Sequence, residues 1–204
     1  MDDLMGRWRD LAGPGNDALG RDLLRRWREP HRRYHTVEHL RAVLDAIDEL
    51  AHHADDPAAV RFAAWFHDAV YAGRPGEDER ASAELAAAML PSAGVEPGRV
   101  AEVVRLVELT ASHDPAPGDA NGAVLCDADL AVLAGGPDEY AAYAAAVREE
   151  YAAVSDADFR RGRAGVLRAL LALDPLYRTP TAAERWQDAA RHNLRTELAL
   201  LSVS

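Results

Sequence analysis

The sequence predicts an all-α protein, one helical domain of about nine or ten helices over residues 1–204. Apolar residues recur at three-and-four spacing in nearly every segment, and no segment alternates apolar with polar residues for long enough to be a half-buried strand. Pro, Gly and short polar residues fall where helices would start and stop.

Before Pro30, Leu4, Trp8 and Leu11 mark one short helix, and Leu19, Leu23, Leu24 and Trp27 a second. Thr36 is placed to cap a helix over 37–50, whose Val37, Leu40, Val43, Leu44, Ile47 and Leu50 share a face. Asp56-Pro57 opens a helix that carries Val60, Ala63, Phe66 and Val70 and stops before Gly73-Arg74-Pro75-Gly76. Helices follow over about 78–90 and 97–112, with a loop at Asp114-Pro115-Ala116-Pro117-Gly118. The last four cover 125–133, 137–154, 156–173 with Ser155 and Asp158 as a capping box, and 181 onward with Thr181 and Glu184 as another.

Acidic side chains number 34 against 23 basic ones, for a net charge of −11, and every basic residue is Arg. That balance disfavours a polymeric nucleic-acid partner. Without Lys, no Schiff-base or P-loop lysine exists, and Arg is the only permanent cation for a phosphate. The single cysteine, Cys126, forms no internal disulfide and suits a reducing, cytoplasmic setting. The acidic N-terminus is unlike a targeting leader, and no apolar run approaches the ~20 residues of a membrane span.

His and Asp residues interrupt four apolar stretches. His31, His35 and His39 gather at one helix start, and His67-Asp68 lies within Ala63-Ala64-Trp65-Phe66-His67-Asp68-Ala69-Val70-Tyr71. His113 closes an apolar helix, and two carboxylates sit in Leu125-Cys126-Asp127-Ala128-Asp129-Leu130. A buried charge is costly unless it is paired or bound to a metal. Nitrogen and carboxylate donors suit Mn²⁺, Fe²⁺, Co²⁺, Ni²⁺ or Mg²⁺, and the lack of further cysteines argues against a structural zinc site. A metal-free polar network, with His67 bonding a buried carbonyl, explains the same residues.

Taken in order, His39, His67-Asp68 and Asp129 resemble the pattern of the HD superfamily of metal-dependent phosphohydrolases. The run Tyr34-His35-Thr36-Val37-Glu38-His39 is similar to the Tyr-His-Asn-x-x-His element of cyclic-nucleotide phosphodiesterases, whose first His donates a proton and whose second binds metal. From about residue 30 to residue 200 the chain also resembles small bacterial HD proteins predicted to be hydrolases. Arg33-Tyr34-His35, Trp65 to Tyr71, Asp78-Glu79 with Ser82-Ala83, Thr110 with His113, Asp127 to Leu130, and Arg148-Glu149-Glu150-Tyr151 carry that likeness. Asp78 stands where those proteins usually have Asn.

The resemblance implies a divalent ion (Mn, Fe, Co, Ni, Mg or Zn) on His39, His67, Asp68 and Asp129. It implies His35 as general acid, with a fifth ligand or a helix-start histidine bonding a backbone group as the alternatives. Glu79, with Asp78 beside it, is the candidate for orienting the attacking water or a metal ligand, with a first-turn acid favoured by the helix dipole as its alternative. On a continuous helix His67 and Asp68 diverge by about 100°, so one ion would have to sit between them. Asp127 and Asp129 point about 200° apart, so on a regular helix both cannot face one ion, and the resemblance of Ala128-Asp129-Leu130 to the last-ligand segment favours Asp129 over Asp127. His113 is open between metal, substrate phosphate and a helix-end histidine favoured by the dipole. Arg32, Arg33 and Arg80 are the cations nearest the motifs for holding phosphate, each with a solvated face as its alternative. The expected activity is hydrolysis of a phosphomonoester or phosphodiester, with a nucleotide as the small phosphorylated substrate and a homodimer as a possible assembly. The alternative is a catalytically silent metal- or nucleotide-binding module with a regulatory role.

Overall fold

The computed structural model describes residues 2–202, and among these the chain forms ten α-helices and no strand. They are α1 (Asp2–Ala12), α2 (Asp17–Arg26), α3 (Val37–Leu50), α4 (Pro57–Phe66) and α5 (Glu77–Met89), followed by α6 (Pro97–Leu109), α7 (Ala120–Asp129), α8 (Pro137–Glu150), α9 (Asp156–Ala172) and α10 (Pro180–Ser202). Short 3₁₀ turns extend α3, α5 and α7. No described helix is long and apolar enough to cross a membrane.

The apolar face predicted for α3 is the buried one: Leu40, Val43, Leu44, Ile47 and Leu50 are enclosed, with α4 and α7 packed against it. Helix α4 is buried almost all round, which suits its run of Ala, Val, Phe and Trp and places it between α3, α6 and α7. Trp8 of α1 meets Phe62 and Trp65 of α4 edge-on, with ring centroids 5.9 and 5.1 Å apart. Gly20 lets α2 approach that indole, since a Cβ there would lie 2.5 Å from Trp8 Cδ1. Trp27 donates its indole N–H to the Trp65 carbonyl at 3.0 Å, joining the end of α2 to the end of α4. The C-terminal α10 packs on α9 and on the 3₁₀ turn at Leu130–Ala134.

Several helix ends differ from the sequence expectation. Helix α4 stops at Phe66, not near Val70, because distant side chains take the backbone groups that would continue it. Arg32 donates to the carbonyls of Asp68 and Ala69, and Ser82 Oγ accepts the Val70 N–H at 3.0 Å. Helix α6 stops at Leu109 and turns through His113 at φ +52°, a left-handed value that few residues other than Gly adopt. Helix α10 starts one residue early, at Pro180, with the cap two residues upstream of the expected one: Thr179 Oγ1 accepts the Ala182 N–H at 3.3 Å, and the hydroxyl of Thr181 meets His53 Nε2 instead, at 2.8 Å.

Candidate metal centre

Three helix ends and a turn converge. His39 lies in the first turn of α3, where Thr36 accepts the Glu38 N–H as the N-cap. His67 caps the C-terminus of α4, Asp68 follows it off the helix, and Asp129 is the last residue of α7. The early end of α4 removes the 100° divergence expected of neighbours on a helix: His67 Nε2 and Asp68 Oδ2 are 3.2 Å apart. His39 Nε2 lies 3.3 Å from His67 Nε2, 3.0 Å from Asp129 Oδ1 and 3.8 Å from Asp68 Oδ2.

The donor chemistry fits a cation. His67 Nδ1 donates to the Ala64 carbonyl at 2.8 Å, which fixes the ring with Nε2 turned toward the cluster. Two carboxylates therefore meet two imidazole rings out of solvent, and among the described residues no Arg pairs with Asp68 or Asp129. His39, His67 and Asp129 form a group that could hold a metal ion, with ligand atoms all within 4.8 Å of one another. Asp68 adds a fourth donor beside the same two nitrogens. Burial lowers His39, but in His67 the carboxylates of Asp68 and Asp129 outweigh burial and raise it well above the usual histidine range. Burial favours neutral acids, yet the facing imidazoles, His67 foremost, pull Asp68 and Asp129 below the usual carboxylate range.

The neighbouring residues hold this arrangement. His113 Nε2 meets the second oxygen of Asp129, Oδ2, at 2.8 Å and leaves Oδ1 to His39 and His67. His35, before α3, does not contact the carboxylates; its Nδ1 lies 2.7 Å from Glu150 Oε2. Glu150, at the end of α8, also accepts the N–H groups of Arg33, Tyr34 and His35 on Oε1 at 2.8 to 3.0 Å, and the Tyr71 hydroxyl on Oε2 at 2.9 Å. Burial would raise its pKa, but the His35 and backbone donors hold it down at about 2. Glu150 in turn raises His35 above the ordinary histidine value, against burial and together with Asp68. Sequence reasoning assigned Glu150 no role, although an acidic residue in the last turn of a helix opposes the dipole and so signals a partner elsewhere.

Other expected residues are engaged differently. Asp127 points away from the cluster and accepts the N–H groups of Arg178 (2.8 Å) and Thr179 (2.7 Å), so it anchors the start of α10, and of the two α7 carboxylates it is Asp129 that faces the imidazoles. Asp78 accepts the N–H groups of Ala72 and Arg74, and Glu79 caps α5 through the Gly76 N–H. Arg32 is buried, with its donors on Glu29 and on the carbonyls of His35, Asp68 and Ala69, which leaves none for a phosphate. Arg33 bonds the Pro30 and Arg32 carbonyls, and Arg80 is exposed on α5; neither lines the cavity above the cluster.

That cavity has a volume of about 610 Å³, and its wall includes His35, His67, Asp68, Glu79, His113 and Asp129. Behind Tyr34 and Tyr143 a second cleft reaches His39 and Asp129 from the side of α3 and α8. Comparison with family models, curated proteins and solved structures finds no match to this chain.

Proposed function

We propose that the chain is a divalent-metal-dependent phosphohydrolase of the HD type that cleaves a phosphomonoester or phosphodiester. One observation carries the reading: among the described residues two imidazole nitrogens and two carboxylates converge without a permanent cation, with His67, Asp68 and Asp129 on the wall of a cavity that His35 and Glu79 also line. His39, His67, Asp68 and Asp129 would hold the ion. A divalent cation held there supplies Lewis acidity, making water a better nucleophile near neutral pH and offsetting the charge of a phosphoryl group.

His113 fixes the orientation of Asp129 by occupying its outer oxygen. Glu150 binds Nδ1 of His35 and favours the protonated ring, so His35 keeps a proton for the leaving oxygen. As the oxygen of water bonds to phosphorus and the ester P–O bond breaks, that proton passes to the departing alkoxide. The proton shed by the water restores His35 for the next cycle. Glu79, held in place by the Gly76 N–H, is assigned the orientation of the water.

A silent binding module needs the metal ligands but not a proton donor in the same cavity, and the shared wall of His35 and Asp68 favours the enzyme. The test is turnover of phosphomonoesters and phosphodiesters with Mn²⁺, Co²⁺ or Mg²⁺, with EDTA and a His67→Ala/Asp68→Ala variant as controls. Metal-dependent turnover absent from the variant is expected. Stoichiometric metal with turnover no different from the variant overturns the enzyme reading.

A further inference from the structure

Away from the His–Asp cluster the cavity changes character. Its far wall is built by Leu133, Val147, Val154, Phe159, Val166 and Leu170, from the 3₁₀ turn after α7, the end of α8 and helix α9. Val166 is 49% exposed, one of only two large apolar side chains so open among the described residues. An apolar wall facing water in continuity with a reactive centre favours an apolar occupant.

The charged groups on the wall are poorly suited to a polyphosphate. Carboxylates of Asp68, Asp78, Glu79, Asp129 and Asp158 face only two guanidiniums, those of Arg74 and Arg163. Arg163 is occupied by a two-pronged pair with Glu197 at 2.7 and 2.9 Å and by the Tyr143 hydroxyl at 3.1 Å. Arg74 lies at the rim with its side chain 71% exposed, 3.7 Å from Glu77. The turn Gly73-Arg74-Pro75-Gly76 at the edge of the cavity offers a phosphate few N–H donors, because carboxylates hold those of Arg74 and Gly76 and Pro75 has none. Asp78 takes the Ala72 and Arg74 N–H groups at 2.9 and 2.8 Å, and Glu79 takes that of Gly76 at 2.5 Å.

We infer that the cavity selects an ester with a single phosphoryl group on an apolar alkyl or aryl body, and rejects nucleoside di- and triphosphates. The reaction rests on the hydrolase reading, whereas the binding preference rests on the cavity wall and a cation at the cluster. One phosphoryl group is as much negative charge as the cluster and its cation accommodate. A second or third would meet Asp78, Glu79 and Asp158 with only Arg74 in reach.

The experiment is calorimetric titration of the Mn²⁺-loaded protein with methyl-, butyl- and hexylphosphonate, which resist hydrolysis, and with adenosine mono- and triphosphate. Affinity should rise about three- to fourfold per methylene until the body fills the wall, and hexylphosphonate should bind at least roughly tenfold more tightly than the triphosphate. Val166→Asp, on an exposed helix face where folding is not at stake, should shrink the hexyl-to-methyl ratio severalfold. A flat chain-length series, a triphosphate that binds more tightly than hexylphosphonate, or a ratio unmoved by Val166→Asp overturns the inference. Chain-length-dependent binding without turnover of any ester would sink the hydrolase reading and leave this one standing. Turnover with a flat series would do the reverse.

Discussion

Arg32→Met should disable both the fold and the metal centre, because one buried guanidinium ties together the two segments that carry His35 and His67-Asp68. Its Nη1 donates to the carbonyls of His35 (3.1 Å) and Asp68 (2.8 Å), and its Nη2 to Glu29 (3.1 Å) and, at 3.4 Å, to Ala69. The group also lies against the rings of Trp27 and Tyr71, at 5.5 and 5.3 Å from their centroids. Methionine would fill the space of the stem and leave those carbonyls without donors. Charged hydrogen bonds contribute about 1.5–3 kcal/mol each, and the long contact to Ala69 counts for little, so the two short carbonyl bonds put the loss at about 3–6 kcal/mol. Arg32→Lys keeps the charge and one of these bonds and should lose about half as much. Urea unfolding gives the stability, and Mn²⁺ titration of the folded Lys variant gives the affinity, which should fall by about tenfold or more as the ligand turn loosens. A loss below about 1 kcal/mol in Arg32→Met, with metal affinity unchanged in Arg32→Lys, would refute the reasoning.

Asp127→Ala should cost about 2–4 kcal/mol by leaving the buried N–H groups of Arg178 and Thr179 without an acceptor, while metal content stays that of the parent; metal lost at full stability would put Asp127 back among the ligands. Glu150→Gln bears on pH in two ways. Because Glu150 is held at about 2, below its ordinary 4.5, it stabilises the fold fully above pH 4.5 by up to about 3 kcal/mol, and that stability is lost as pH falls from 4.5 toward 2. The Gln variant should flatten this part of the stability curve, and the alkaline limb of the rate profile should move to lower pH as His35 loses its anionic partner. Glu79→Gln keeps an oxygen for the Gly76 N–H, so thermal unfolding should shift little while kcat falls by roughly 10²-fold; unchanged kcat would remove Glu79 from the mechanism.

Sequence reasoning reached furthest where local chemistry decides structure. The buried face and Thr36 cap of α3 follow from spacing and side-chain type, and helical geometry showed that Asp127 and Asp129 would not face one ion together. It missed what partners far along the chain decide. No local signal after Phe66 ends α4; Arg32 and Ser82 do so, and only that ending lets His67 and Asp68 converge. Glu150 reaches His35 across 115 residues, a pairing that no motif spacing encodes. Arg32 and Arg33 were nearest the motifs in sequence, yet proximity along the chain put the first into a buried clamp and the second against backbone carbonyls. Arg74, in the loop that was legible only as a turn, is the guanidinium at the cavity rim.

The central claim is that His39, His67, Asp68 and Asp129 hold a divalent cation. Equilibrium dialysis of chelator-stripped protein against Mn²⁺, with metal counted by mass spectrometry and unfolding followed on the same samples, tests it most directly. The account predicts at least one ion per chain, stabilisation of about 2.7 kcal/mol at a free ion concentration a hundred times Kd, and loss of both in a folded His67→Ala/Asp68→Ala variant. No uptake by the parent protein, or equal uptake by the variant, would contradict it.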